Sequence, residues 1–341
     1  MAVFALNRRE TLAPGVYPFS PRKHLRQVAD LVGAVFGAEL DEEGRYALQE
    51  VQAVGWLSPV LGGLLSTNLL GEFVGGYVWI EGGRVLGNLT LQRNDTSGSR
   101  WRISNVAVAA EERGRGIGRS LMLAAISEIA HQNGSWAVLQ VRLDNQPARQ
   151  LYSSLGFTEV CQDGIWRLPA WPADGSSRPL APDIELHRLP ALAWRARFEL
   201  AQAAQTQLAN WASPVAAEAY QTDPLQALGE VVSGWLGLYR VQRWGWQSHG
   251  RLDGAIEVHA SVFGGAHRLR MAVRPRARGR LEQALVNQGL RVLADAPGAP
   301  IIIEHSGDHG EGVAALEAAG FRAQRVLLTM RRPIVPADAL L

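Results

Sequence analysis

Residues Asn105 to Arg119 read N-V-A-V-A-A-E-E-R-G-R-G-I-G-R, a strand-like apolar run that breaks into three alternate glycines and enters an amphipathic segment. A strand that turns through glycines into a helix gathers backbone N–H groups at the positive helix end, which suits a pyrophosphate. Gly114, Gly116 and Gly118 leave room for close approach, since side chains there obstruct the phosphates or require disfavoured φ values. Three spaced glycines also fit a purely structural turn. A dinucleotide-binding Rossmann reading fits less well: that fingerprint follows the first strand of a parallel unit, whereas this bend comes after a hairpin.

A second constellation, Val141 to Phe157, reads V-R-L-D-N-Q-P-A-R-Q-L-Y-S-S-L-G-F. With the first, it resembles the GNAT acetyltransferase superfamily over residues 1 to 168. That family's phosphate signature is Arg or Gln, two residues, Gly, one residue, then Gly or Ala, met by Arg113, Gly116 and Gly118. Its later signature is met by Asn145, Ala148, Leu151, Tyr152, Gly156 and Phe157.

The resemblance implies a splayed sheet with acetyl-coenzyme A entering between the strand ending near Val108 and the strand ending near Leu143. The backbone of Val106, Ala107 and Val108 is then expected to pair with the pantetheine arm, with one N–H polarising the thioester carbonyl. Arg113, Gly114, Arg115, Gly116, Ile117, Gly118 and Arg119 are expected to hold the pyrophosphate, and Asn145 belongs to the same cofactor-binding set. Tyr152, by its place in the signature, is the general acid for the departing thiolate, against the plainer reading of a core tyrosine. No general base stands out. The strand position where some relatives carry glutamate is Ser104, and Glu39, Asp41, Glu42 and Glu43 read better as a helix cap and solvated first turn than as acceptor-site groups.

The elements that must position these residues follow from periodicity. Helical apolar spacing runs over 21–37, and a second helix is expected near Asp41. Strands are expected at 73–81 and 84–92, joined by Gly82 and Gly83, and at 101–108. A helix over 118–132, carried by Leu121, Leu123, Ala124, Ile126 and Ile129, ends at Asn133 and Gly134. A strand at 136–143, a short helix at 146–155 and a final hairpin over 158–168 complete the half. The segment 169–182, with Pro169, Pro172, Pro179 and Pro182, reads as a linker between domains at 1–168 and 183–341.

Beyond the linker the same order recurs. Arg113-Gly114 returns as Arg278-Gly279, 165 residues on, and Gly156-Phe157 as Gly320-Phe321, 164 residues on. This marks a duplication. The second copy loses the chemistry: counted from Arg-Gly, Gly116 becomes Leu281 and Gly118 becomes Gln283; counted back from Gly-Phe, Tyr152 becomes Leu316 and Asn145 becomes His309. The fold class expected is therefore α/β (α+β), two tandem GNAT-like domains of mixed, mostly antiparallel splayed sheets, the second degenerate.

Composition excludes several classes. The 34 basic and 32 acidic residues give a net charge of +2, too even to imply a nucleic-acid partner. The run Arg268, Arg270, Arg274, Arg276, Arg278 and Arg280 reads as a solvated face. The single cysteine, Cys161, permits no internal disulfide and reads as a buried, inert thiol in a cytoplasmic protein. The uncharged stretch 51–71 is interrupted by Pro59, Gly62 and Gly63, so no membrane span is expected. Glu304 to His309 offers metal-donor types without a distant fourth ligand, so no metal is expected. The overall expectation is an N-acetyltransferase moving acetyl from acetyl-coenzyme A to a primary amine of a small molecule or protein, by direct attack in a ternary complex in the first repeat. The competing class is a module that senses acyl-coenzyme A or binds a partner without turnover. Oligomeric state is not legible.

Overall fold

The computed structural model describes residues 13–37, 73–95, 97–169, 184–223, 228–229, 239–261, 265–294 and 296–335. The expected helix near Asp41, the acidic residues at 39–43, the uncharged stretch 51–71 and nearly all of the linker lie outside them. The chain forms two compact units, Met1–Gln140 with Gln150–Thr158 and Arg331–Leu341, and Val141–Arg149 with Glu159–Met330.

In the first unit the strand order is β1 (Gly15–Pro18), β2 (Phe73–Glu81), β3 (Arg84–Arg93), β4 (Arg100–Val108) and β5 (Trp136–Arg142). All neighbours are antiparallel except β4 and β5. Helix α1 (Pro21–Phe36) covers one face, where Leu31 packs with Val78, Ile80, Val85 and Ala107. Helix α2 (Ile117–His131) covers the other, burying Ile117, Leu121, Met122, Ala125 and Ile129. That stripe differs from the expected one: Leu123 is 48% exposed, and Met122 takes the inward position. Gly87 of β3 accommodates this helix, because a Cβ there would lie 2.8 Å from Ile117 and 2.9 Å from Leu121. Helix α3 (Gln146–Ser154) follows β5.

The segment over 158–168 is one strand, β6 (Thr158–Leu168), rather than a hairpin. Its register with β11 (Ile301–Ser306) is continuous from Leu168 opposite Ile301 to Asp163 opposite Ser306. Gly164 sits mid-strand where a Cβ would come within 2.7 Å of the Trp166 indole, so the glycine makes room for that ring rather than a turn.

The second unit orders β12 (Arg322–Pro333), β6, β11, β10 (His267–Val273), β9 (Arg251–Ser261), β8 (Tyr239–Ser248) and β7 (His187–Arg188). Helices α4 (Trp194–Ala204), α5 (Gln207–Ala212), α6 (Glu282–Leu293) and α7 (Gly310–Ala318) accompany them. Its core joins Leu281, Leu285, Val286, Leu290 and Leu293 to Ile256, Val258, Leu269, Ile301, Ile303 and Phe321. The fold is the mixed, mostly antiparallel α/β architecture expected. Among the described residues no helix is long and apolar enough to cross a membrane.

Candidate active site

The site begins where two parallel strands part. β4 and β5 pair from Arg100 opposite Trp136 to Ile103 opposite Leu139, and there the ladder stops although β4 runs on to Val108. The strands thus form a fork. At its root β3 and β4 change register: Asn88 lies opposite Ala107 and Thr90 opposite Ser104, so Asn105 and Val106 together face Leu89. This is a β-bulge, with Asn105 in the left-handed region at φ +52°. Beyond it, the Ala109 N–H donates to the Leu86 carbonyl at 2.9 Å. Antiparallel alternation then turns Ala107 toward β3 and the N–H and C=O of Val108 away from it, into the fork. The Arg113 Nε donates to that Val108 carbonyl at 3.3 Å.

Next in the chain is the glycine turn. Gly114 and Gly116 have φ of +80° and +82°, and a Cβ on either would meet no atom within 4 Å. Gly116 is the N-cap of α2, no side chain caps that end, and the first turn holds no acid. Among the described residues no carboxylate meets the first N–H groups of α2, which leaves a positive helix end of the kind that suits an anion. Gly118 is different: its φ is ordinary and a Cβ would make van der Waals contacts of 3.5 Å with Leu151 and 3.8 Å with Val108. The arginines also divide. Arg115 is tied to Glu81 through contacts of 2.9 and 3.1 Å and to Glu112, and Arg119 donates to Ser154 at 3.0 Å. Arg113 is exposed at the turn; its backbone N–H donates to the Ala110 carbonyl and its Nε to the Val108 carbonyl.

Tyr152 lies on α3, 5% exposed, with its ring tilted against Phe157 at 6.1 Å between centroids. Burial pushes its phenol up to about 12, so it stays protonated throughout the neutral range. Asn145 caps α3, its Oδ1 accepting from the Ala148 N–H at 3.2 Å. Ser104 follows Ile103, the last β4 residue paired to β5. Cys161 is buried, and burial first, then the Asp163 carboxylate, pushes its thiol up to about 11, as suits an inert thiol.

The second unit repeats the fork but not the bulge. β10 and β11 pair from His267 opposite Ile301 to Leu269 opposite Ile303 and then part. β9 and β10, however, run in unbroken register from Arg268 opposite His259 to Val273 opposite Gly254, with no bulge. The glycine turn is shorter. Leu281 and Leu285 meet Gly254 as Ile117 and Leu121 meet Gly87, and each pair is separated by the same 164 residues as the two Gly-Phe dipeptides. Leu281 is thus the counterpart of Ile117, not of Gly116, which has no equivalent; Gly118 corresponds to Glu282, not Gln283. The Arg-Gly offset of 165 does not hold past this turn, because the second copy is one residue shorter there.

Glu282 fills the resulting turn. It is 2% exposed; its carboxylate accepts from the Leu281 N–H at 3.1 Å and bonds His309 Nε2 at 2.8 Å. Burial raises its pKa, but the His309 contact and backbone N–H bonds of Glu282 and Gly279 outweigh this and hold it low. Sequence reasoning missed this residue; a lone acid directly after R-G-R-L was the available signal. Beside it His305, buried and pushed down to about 3 mainly by burial, remains neutral. Among the described residues no group of three donors could hold a metal.

The basic run is largely exposed, as a solvated face is, and its side chains are engaged within the unit. Arg274 and Arg276 pair with the buried Asp253, Arg278 donates to the Ala204 carbonyl at 2.7 Å, Arg280 lies over Trp246, and Arg270 lies over Tyr220.

Residues 46–157 match the acetyltransferase (GNAT) family, a stretch that contains the bulge, the glycine turn and Tyr152. A mycothiol acetyltransferase from Thermobispora bispora is 29% identical over 133 residues, 38% of this chain and 42% of that protein, so the match spans less than half of the relative's length. Among solved structures, a GCN5-related N-acetyltransferase from Sphaerobacter thermophilus aligns over 94% of this chain and 96% of its own, with 17% identity and a TM-score of 0.55. A tandem GNAT protein from the clavulanic acid biosynthesis pathway aligns over 95% and 99%, with 16% identity and a TM-score of 0.51. Residues 46–157 are thus similar to the GNAT family, and the chain as a whole shares the fold of these two solved structures.

Proposed function

We propose that this protein is an N-acetyltransferase that works in its first repeat, residues 1–168, with residues 183–341 as a degenerate GNAT-like partner domain. The observation that carries the reading is the conjunction, in one unit, of the β4–β5 fork, the bulge at Asn105 and the uncapped glycine turn leading into α2. Acetyl-coenzyme A is the donor substrate, its diphosphate at the Gly114–Gly118 turn and its thioester beside the Val106–Val108 backbone. A neutral primary amine attacks the thioester carbonyl. The N–C bond forms, the C–S bond breaks, and the electron pair leaves on sulfur; the amine proton passes to water or an acceptor-site base. The carbonyl oxygen gains charge during attack, and a backbone N–H in the fork stabilises it.

Tyr152 then faces the departing sulfur as a donor. With its phenol near 12, above the range of an ordinary thiol, complete transfer of the proton to the leaving thiolate runs uphill. Its contribution is therefore a hydrogen bond to the developing thiolate. In the second repeat Glu282 stands where an incoming phosphate needs free N–H groups, and the bulge is missing, which supports one active site per chain.

The partial match to a mycothiol acetyltransferase does not carry that protein's acceptor to this chain, and the acceptor class is kept at primary amines. Release of free thiol from acetyl-coenzyme A, measured across a panel of small amines and amine-bearing peptides, tests the proposal. Amine-dependent release is expected. Binding of acetyl-coenzyme A without release by any amine favours the sensing module instead.

A further inference from the structure

Two polar side chains stand inside β3 where packing alone favours apolar ones. Asn88 and Thr90 are 2% and 8% exposed, and they alternate with Gly87 and Leu89 along the strand. Buried polar groups of this kind are retained only with partners. Here both partners lie on one residue: Asn88 Nδ2 donates to the Asn105 carbonyl at 3.2 Å, and Asn105 Nδ2 donates to Thr90 Oγ1 at 3.3 Å. Asn105 is the residue held at φ +52° in the bulge. A non-glycine residue in that region needs its surroundings to fix it.

The second unit supplies the comparison. Counted from the strand starts, Arg84 and Arg251, the positions of Asn88 and Thr90 hold Ala255 and Glu257. There β9 and β10 run in unbroken register. The first unit has both the polar pair and the bulge, and the second has neither.

We propose that Asn88 and Thr90 are positioning residues for acyl transfer, clamping Asn105 from both ends so that the Val106–Val108 backbone presents its N–H groups to the thioester oxygen. This rests on the reading of the fork as the thioester site. Neither side chain touches the reacting atoms. Their effect falls on the charge-developing step, whereas the diphosphate is held separately by the glycine turn, so the inference separates kcat from KM.

The experiment compares Thr90→Val, which keeps the shape and removes the hydroxyl, with Thr90→Ser, which keeps the hydroxyl, and adds Asn88→Ala, all in the full chain. Loss of one oxyanion donor costs on the order of 10²–10³ in kcat, so a loosened donor should cost about tenfold or more. Thr90→Val and Asn88→Ala should show that loss with KM for acetyl-coenzyme A within about twofold, and Thr90→Ser should keep kcat within about twofold. Amide exchange at residues 105–108 should quicken in the first two variants only. Should Asn88→Ala fail to fold, the two Thr90 variants decide. Unchanged turnover in Thr90→Val, equal loss in Thr90→Ser, or a rise in KM in place of a fall in kcat overturns the proposal. A wild-type chain that releases no thiol defeats the acyl-transfer reading itself, and exchange at 105–108 then still decides whether the pair holds the bulge.

Discussion

Replacing Tyr152 by phenylalanine removes one hydroxyl and leaves the ring against Phe157. The magnitude follows from the environment. A hydrogen bond to a charged partner contributes about 1.5–3 kcal/mol, which at about 1.4 kcal/mol per decade is roughly 10- to 150-fold in rate. Stability should move by no more than about 1 kcal/mol, because the phenol is neutral in the folded protein and the ring stays packed. The alkaline limb carries a second signature. An ordinary tyrosine is half ionised at pH 10, but with its phenol near 12 Tyr152 keeps its proton there. Steady-state thiol release at saturating acetyl-coenzyme A and amine, run from pH 7 to 11, reads both. The expected result is a fall in kcat of about 10²-fold for Tyr152→Phe with KM for acetyl-coenzyme A nearly unchanged, and no wild-type decline centred on pH 10. Full turnover in Tyr152→Phe would refute the donor role.

Gly116→Glu should fold, since its Cβ meets open space and the left-handed backbone costs about 1–2 kcal/mol. A carboxylate about 5 Å from the diphosphate, at an effective dielectric near 20, adds about 3 kcal/mol of repulsion, so calorimetry should show acetyl-coenzyme A affinity falling at least about 100-fold. Glu282→Ala leaves His309 and the N–H nest facing an empty buried position, and urea unfolding should show a loss of about 3 kcal/mol with acetyl-coenzyme A affinity unchanged. Glu257 is raised by burial, but His259, Arg197 and Arg243 outweigh this and bring it down to about 2 from an ordinary 4.5. The unfolded chain therefore takes up that proton first, and stability present above pH 4.5 should drain away as the pH falls toward 2, by about 3 kcal/mol. Urea midpoints across that range check it, and Glu257→Gln should flatten the limb.

The glycine turn was legible because its demands are local: positive φ at Gly114 and Gly116 and an uncapped helix start are properties of a few consecutive residues. The fork was not. It depends on where the β4–β5 ladder ends, which no side chain in either strand announces. The bulge hid for a related reason, since Asn105, Asn88 and Thr90 meet only after β3 and β4 pair. The hairpin expected over 158–168 is instead one strand, in which Gly164 admits the Trp166 ring. The two offsets, 165 and 164, already recorded a deletion in the second repeat. Its place between Gly279 and Leu281 became clear only from which leucine fills the hollow at Gly254.

The most direct test of the central claim is a calorimetric titration of the full chain with acetyl-coenzyme A, repeated on Gly116→Glu. One molecule bound per chain, and binding lost in the variant, is the predicted result. Two equivalent sites, or a single site that survives Gly116→Glu in a folded protein, would contradict a cofactor held at the glycine turn of the first repeat.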